Sequence, residues 1–164
     1  MGMQLPGEVR EFLSIVGFTW PAGDEEKLLE LGQAWTQLSN LVDGHASQAT
    51  GTAAEVWNAN KSDMIEAFKA RWSGDAGPAN RLTDNGTGAD IVGAGVMICA
   101  GIVLALKINV IVQVTITIIS IASAIASAFV TFGASAALVP LLREACKRLL
   151  DYLLGEAIGK VLNG

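Results

Sequence analysis

The sequence predicts an all-α protein, a bundle of about four long helices with a short extra helix at the N-terminus. Three observations carry this reading. Leu28, Leu31, Trp35, Leu38 and Val42 follow a 3-4-3-4 spacing, the mark of one continuous apolar seam on a helix. Asn109, Gln113, Thr117, Ser120, Ala124, Ser127 and Thr131 recur at 4-4-3-4-3-4, a stripe of polar and small residues along one helical face. The stretch from Ile91 to Leu142 carries one charge, Lys107, in fifty-two residues, so other helices or lipid must cover it.

Each element has its own signal. Pro6, followed by Glu8, Val9, Phe12, Leu13, Ile15 and Val16, predicts a short amphipathic helix over 6–16, and Gly17 ends it. Asp24 stands as the N-cap of a helix over 24–43, with Glu25 and Glu26 in a first turn whose dipole favours negative charge. Asp43-Gly44-His45 marks a break, although His45–Ala54 holds one glycine and could continue helically. A helix over 52–73 then carries Trp57, Met64, Ile65, Phe68 and Trp72 on one side and ends at Gly74 as a left-handed stop. Residues 75–90, rich in Gly, Asp, Asn and Thr, predict a loop with a turn at Asn85-Gly86 and with Thr87 capping the next helix.

That next helix is expected over 88–132. Strand-like alternation from Ile108 to Ile118 competes with it, but the helical stripe is about twice as long and joins Ala-rich sequence on both sides, so length decides for helix. Gly133 is the expected break before a last helix over 135–162 that tolerates Pro140 early. Arg143, Glu144, Lys147, Arg148 and Asp151 form its polar face, with Leu142, Leu149, Leu150, Leu153, Leu154 and Ile158 opposite.

Composition narrows the function. A chain of 164 residues suits one domain. Residues 1–90 hold thirteen acids and six bases, and residues 91–164 three acids and five bases. With no basic stripe, nucleic acid is not an expected partner, because Lys and Arg on phosphates supply most of that affinity. If the chain reverses at Gly133, Cys99 and Cys146 are mismatched by roughly 30 Å along antiparallel helices, so both are expected as small core residues. Met1–Gly17 has no basic segment followed by an apolar run, and a secretory signal peptide is not expected.

No catalytic constellation emerges. His45, the single histidine, has no Cys or His at ligand spacing and reads as a solvated loop residue. Gly86-x-Gly88 and Gly93-x-Gly95 follow no strand and lack the third glycine of a dinucleotide turn. Ser120, Ser123 and Ser127 have no partner histidine. The expectation is a non-enzyme with no cofactor and no metal.

Two motifs remain. Trp72-Ser73-Gly74 is a W-x-G between two helices, where the Trp can plug the end of a helical hairpin and the Gly can make its turn. Tyr152-Leu-Leu-Gly-Glu156 sets an aromatic and an acid one helical turn apart on one face. Together with Leu5-Pro6-Gly7-Glu8-Val9-Arg10, Phe18-Thr19-Trp20-Pro21-Ala22-Gly23-Asp24-Glu25, Trp35, the Ala/Val-rich stretch, Gly133-Ala134-Ser135 and Val139-Pro140, the chain resembles the W-x-G superfamily of type VII secretion substrates. Within it, the chain is similar to the N-terminal domains of large toxin proteins of the outer-membrane channel and necrotizing toxin type. The resemblance covers nearly all of Leu5–Leu162, and Trp20-Pro21-x-Gly23-Asp24-Glu25 is its specific part.

The resemblance implies a W-x-G helical hairpin with Trp72 and Gly74 at its turn and a non-catalytic leader that directs export. It also implies Tyr152 and Glu156 as an export signal, although small members carry that motif nearer the hairpin. Implied partners are the type VII machinery or a helical protein, a toxin domain downstream and a homo-oligomer. The implied location is cytoplasmic before export, then secreted or at the cell surface without a cleavable signal.

Lipid remains in play. Ile108–Leu142 is thirty-five uncharged residues, against about twenty needed to span a bilayer. Small residues repeat at Ala122/Ala126 and Ser123/Ser127, a spacing that lets membrane helices approach. Against this, Ser, Thr, Gly and Ala dilute the run, no Trp or Tyr belt flanks it, and three amphipathic helices need something to cover. The balance favours a water-soluble bundle. The alternatives are an oligomeric membrane channel built on helix 91–131, its lumen lined by Asn109, Gln113, Thr117, Ser120 and Ser127, and a stand-alone helical adaptor or chaperone.

Overall fold

A computed structural model describes residues 2–128 and 137–163. Among these the chain is all-α, as the sequence predicts: α1 (Gly7–Val16), α2 (Glu25–Ala59), α3 (Asp63–Ser73), α4 (Pro78–Ala128) and α5 (Leu138–Asn163). Thr131, the break at Gly133 and the Gly133-Ala134-Ser135 segment lie outside the described residues. The chain divides into two compact units, Met1–Lys27 with Cys99–Gly164, and Leu28–Ile98, so α2 and α4 each contribute to both.

The first unit is built on α1, the second half of α4 and α5. Gly17 ends α1 at φ 75°, with Phe18 N–H bonded to Leu13 O at 3.0 Å and Gly17 N–H to Ser14 O at 3.3 Å, the glycine stop expected there. Val9, Phe12, Leu13 and Val16 of α1 join Val110 and Val114 of α4 and Leu150 of α5 in one apolar cluster. Val110, Val114 and Leu150 are fully buried, and each such side chain contributes about 1.5–3 kcal/mol by leaving water. On α5, Leu142, Leu153 and Leu154 pack against this cluster as the apolar face predicts. Leu149 and Ile158 instead stay exposed. Glu144 and Arg148 form the expected i,i+4 pair at 3.0 Å. Both cysteines are free, Cys146 buried and Cys99 half-buried.

Helix, not strand, runs through Ile108–Ile118, and α4 begins at Pro78 rather than at residue 88. The expected loop over 75–90, the turn at Asn85-Gly86 and the cap at Thr87 are therefore replaced by helix. Pro78 fits the first helical position, where the missing N–H is not needed. Gly86 lies against the Asp43 carboxylate, which a Cβ there would push aside. Gly86 is a helical residue of α4 and makes no turn.

The second unit holds the rest of α2, α3 and the first part of α4. The break expected at Asp43-Gly44-His45 is absent, and the single helix Glu25–Ala59 replaces the separate helices expected over 24–43 and from residue 52. Nothing crowds Gly44, so it costs only its poor helix propensity, about 1 kcal/mol. The real break precedes Ser62, which caps α3 by accepting from Ile65 N–H at 3.3 Å. Trp57 thus belongs to α2, while Phe68 and Trp72 belong to α3.

The apolar seam of α2 is also turned from its expected place. Gly32, Ser39, Ala46 and Ala53, seven residues apart, are buried, whereas Leu31 and Leu38 are exposed and Leu28, Trp35 and Val42 half-buried. The cause is close backbone approach. A Cβ on Gly32 would lie 2.9 Å from Gly93 O, and one on Gly93 would lie 2.9 Å from Gly32 O and from Thr36 Oγ1. Two helices this near admit only small residues between them, and the leucines beside them turn outward.

Candidate functional site

The W-x-G segment closes the connection from α3 to α4. Trp72 is half-buried and its Nε1–H reaches Thr50 Oγ1 of α2 at 3.5 Å. Phe68 lies between Trp72 and Trp57, with ring centroids 5.9 and 5.8 Å apart and tilted planes. Such offset aromatic contacts add to burial in fixing α3 on α2. Beside them, His45, Thr52, Val56, Phe68 and Trp72 line an open, mainly apolar groove of about 590 Å³.

Gly74 departs from the left-handed stop expected of it, with φ −69° and ψ 162°, extended backbone open to any residue. The turn is held by Gly77 N–H donating to Gly74 O at 2.7 Å and by the Asn80 side-chain amide donating to the same oxygen at 3.2 Å. Gly77 is the glycine the turn requires, since a Cβ there would meet Trp72 O and lie 2.7 Å from Arg71 O and Gly74 O. The sequence gives Gly77 no motif of its own; its place just before Pro78 is the one cue.

In the first unit, Lys107 and Glu25 form a buried ion pair that the sequence reading does not foresee. Lys107 Nζ lies 2.5 Å from Glu25 Oε2, with both side chains nearly inaccessible. The backbone N–H of Met3 also donates to Glu25, and Lys107 Nζ stands 5.9 Å from the Trp20 ring centroid, within cation–π reach. Burial pushes the Glu25 carboxyl up, but the Lys107 hydrogen bond and the Met3 N–H outweigh it and hold Glu25 down to about 2. Asp24 caps α2 by accepting from Lys27 N–H at 3.1 Å, as expected, and that bond lowers its carboxyl. The Trp-Pro-x-Gly-Asp-Glu segment thus supplies both Trp20 and Glu25 to the one charge in the apolar stretch. A signal was available: a lone Lys in an apolar run is almost never buried unpaired.

Tyr152 and Glu156 lie one turn apart on α5, both exposed. Glu156 pairs with Lys160 at 2.8 Å, and this bond raises the Lys160 ammonium. The stripe on α4 is not the buried face. Val110, Val114 and Ile121 are buried beside it, whereas Asn109 and Ser127 are exposed and Gln113, Thr117 and Ser120 half-buried. Thr117, Ser120 and Ser127 donate to carbonyls one turn back, on Gln113, Ile116 and Ser123, each at 2.8 Å. The structure brings Trp72 and Gly74 together at one turn and Tyr152 and Glu156 on one helix. His45 lines the α2–α3 groove and is not in a loop. Among the described residues, no three His, Cys, Asp or Glu gather as a metal site would need.

Comparison with curated proteins gives no match, and neither does comparison with solved structures. The family described as WXG100 like domain matches residues 3–145, from the Met3 that donates to Glu25 to the residue before Cys146, and takes in the Trp72-Ser73-Gly74 turn. The chain therefore belongs to the WXG100 like domain family of helical proteins associated with type VII secretion.

Proposed function

We infer that this chain is the non-catalytic N-terminal export domain of a type VII secreted toxin, with a toxin domain downstream. The observation that carries the reading is the pairing of a Trp72–Gly77 hairpin turn with an α5 whose Tyr152 and Glu156 share one exposed face. A receptor can engage that face without disturbing the core, because Cys146 and Leu150 anchor α5 from its other side. Before export the chain is cytoplasmic; afterwards it is secreted or at the cell surface, and it works with the secretion machinery and a helical partner. Tyr152→Ala and Glu156→Ala are expected to abolish secretion from the native host with far-UV helicity unchanged. Normal export of both variants refutes the assignment, and a reading frame with no enzyme domain after Gly164 refutes the toxin.

One observation favours a second reading, a membrane channel. Asp63–Ser127 contains a window of mean hydropathy 2.4, apolar enough to cross a membrane by length and composition, of which 22% is buried. Ile108, Val112, Ile116 and Ile119 form an exposed apolar face there. The hydroxyls along α4 bond within the helix, which lipid tolerates. Asn109, Gln113, Thr117, Ser120 and Ser127 would then face the lumen. Recovery of the protein only with detergent or liposomes supports the channel; a defined species in plain buffer opposes it.

A further inference from the structure

Before α1, residues Gly2–Leu5 lie outside any helix, yet Gly2 is buried and Leu5 packs against the apolar cluster of the first unit. Extended chain of this kind stays ordered where other groups tie it down. Here the tie is Glu25. Its two oxygens serve different elements: Oε1 accepts from the Met3 N–H, and Oε2 accepts from Lys107 Nζ of α4 at 2.5 Å. One carboxylate thus joins this segment to the single charge of the apolar stretch. Gly2 passes so near that a Cβ there would lie 2.8 Å from Glu25 Oε2 and 3.1 Å from Asp24 Oδ1. The Gln4 side-chain amide folds back to donate to Gly2 O at 3.2 Å.

Behind the segment, Lys107 is 3% exposed and Glu25 7%. A cleft of about 210 Å³ is lined by Gly2–Gln4, by Trp20–Asp24 and by Lys107 itself. The two protein walls beside Lys107 are held differently. Trp20 packs against the apolar cluster, Gly23 rests against Val103 one turn before Lys107, and Asp24 caps α2, so that wall is built into the unit. Gly2–Gln4 is held through its backbone contact with a carboxylate and pivots on Leu5. Elements with few buried apolar contacts open at the lowest free energy.

We propose that Gly2–Gln4 is a strap over the Glu25–Lys107 pair, able to lift on Leu5 while the rest of the first unit stays folded, so that solutes reach Lys107 by strap opening and not by unfolding. The proposal goes beyond both functional readings and depends on neither.

The test treats the full chain with acetic anhydride at mildly alkaline pH and, in parallel, with iodoacetamide, and reads Lys107, Lys147 and Cys146 by mass spectrometry of their peptides. In the unaltered chain, Lys107 reacts about a hundredfold more slowly than exposed Lys147, because it reacts from molecules whose strap is up. Met3→Pro removes the N–H given to Glu25 and speeds Lys107 labelling by about tenfold or more, a bond to a charged acceptor being lost. Gly2→Val, which crowds the Asp24 and Glu25 carboxylates, speeds it likewise. Met3→Ala keeps the N–H and the slow rate. In every variant the buried Cys146 thiol stays unreactive and the far-UV spectrum is unchanged.

Three results overturn the proposal. They are Lys107 reacting as fast as Lys147 in the unaltered chain, Met3→Pro without effect, and Lys107 and Cys146 becoming reactive together. The last makes unfolding of the whole unit the route to Lys107. No secretion step and no lipid enter the assay, so its outcome is separate from that of either functional reading.

Discussion

Removing Glu25 while keeping Lys107 strands a cation inside the first unit. At 2.5 Å and an effective dielectric of about 20, the two ions attract by roughly 7 kcal/mol. Drawing each from water costs several kcal/mol, so the intact pair is close to neutral against an apolar pair of the same volume. Breaking it is not neutral. Glu25→Gln leaves the Lys107 ammonium buried without its paired carboxylate, and about 3–5 kcal/mol of stability is lost. Lys107→Met on top of Glu25→Gln removes the stranded charge and restores most of that loss. The measurement is urea unfolding at pH 7, monitored by far-UV circular dichroism, for the wild type, both single variants and the double. A Glu25→Gln loss below about 1 kcal/mol, or a double variant no more stable than Glu25→Gln, would refute the reasoning. Acid gives the same answer by another route. The folded Glu25 carboxyl is depressed from 4.5 to about 2, so its contribution is complete above about pH 4.5 and fades as the pH falls through about 2. The Glu25→Gln variant lacks that acid limb.

Three further outcomes follow from packing. Gly32→Ala and Gly93→Ala each push a methyl into a facing carbonyl and cost about 2–4 kcal/mol in thermal melts, the range of severe overpacking. Gly77→Ala is worse than Gly74→Ala in the same melts, by about 1 kcal/mol or more. Gly77 is hemmed in by three carbonyls, while Gly74 meets only Ala70 O at 3.0 Å; equal effects would remove Gly77 from the turn. Thr36 Oγ1 is buried without a hydrogen-bond partner among the described residues, so Thr36→Val raises the urea midpoint or leaves it unchanged, relieving a desolvation cost of about 1–3 kcal/mol.

Local chemistry made much of the fold legible. The Gly17 stop, the Asp24 cap, helix in preference to strand through Ile108–Ile118 and the Glu144–Arg148 pair all rest on neighbours a few residues apart, whereas the left-handed stop expected at Gly74 did not form and Gly77 makes the turn instead. What misled were residues with two uses. Glycine and Asn at 85–88 read as loop, yet they lie within the long helix α4. Heptad spacing on α2 fits two adjacent faces, and weighing Leu above Gly and Ala chose the outer one, when backbone approach at Gly32 and Gly93 selects the small residues. Lys107 and Glu25 stand 82 residues apart, a separation no periodicity spans. Of the candidate site, the motif residues were visible in the sequence and the groove beside Trp72 was not, because it depends on where α2 and α3 part at Asn60–Ser62.

The chain leaves the first unit after Lys27 and re-enters it at Cys99, so the second unit is an excursion of 71 residues begun and ended within the first. The Glu25–Lys107 bridge lies within the first unit and joins the segment that precedes the excursion to the one that follows it. With those two segments joined, the length of chain between them matters little, since doubling a closed loop costs only about 0.6 kcal/mol. Hydrogen exchange should then resolve two cooperative bodies, with amides of 28–98 able to open while those of the apolar cluster around Val110 stay protected.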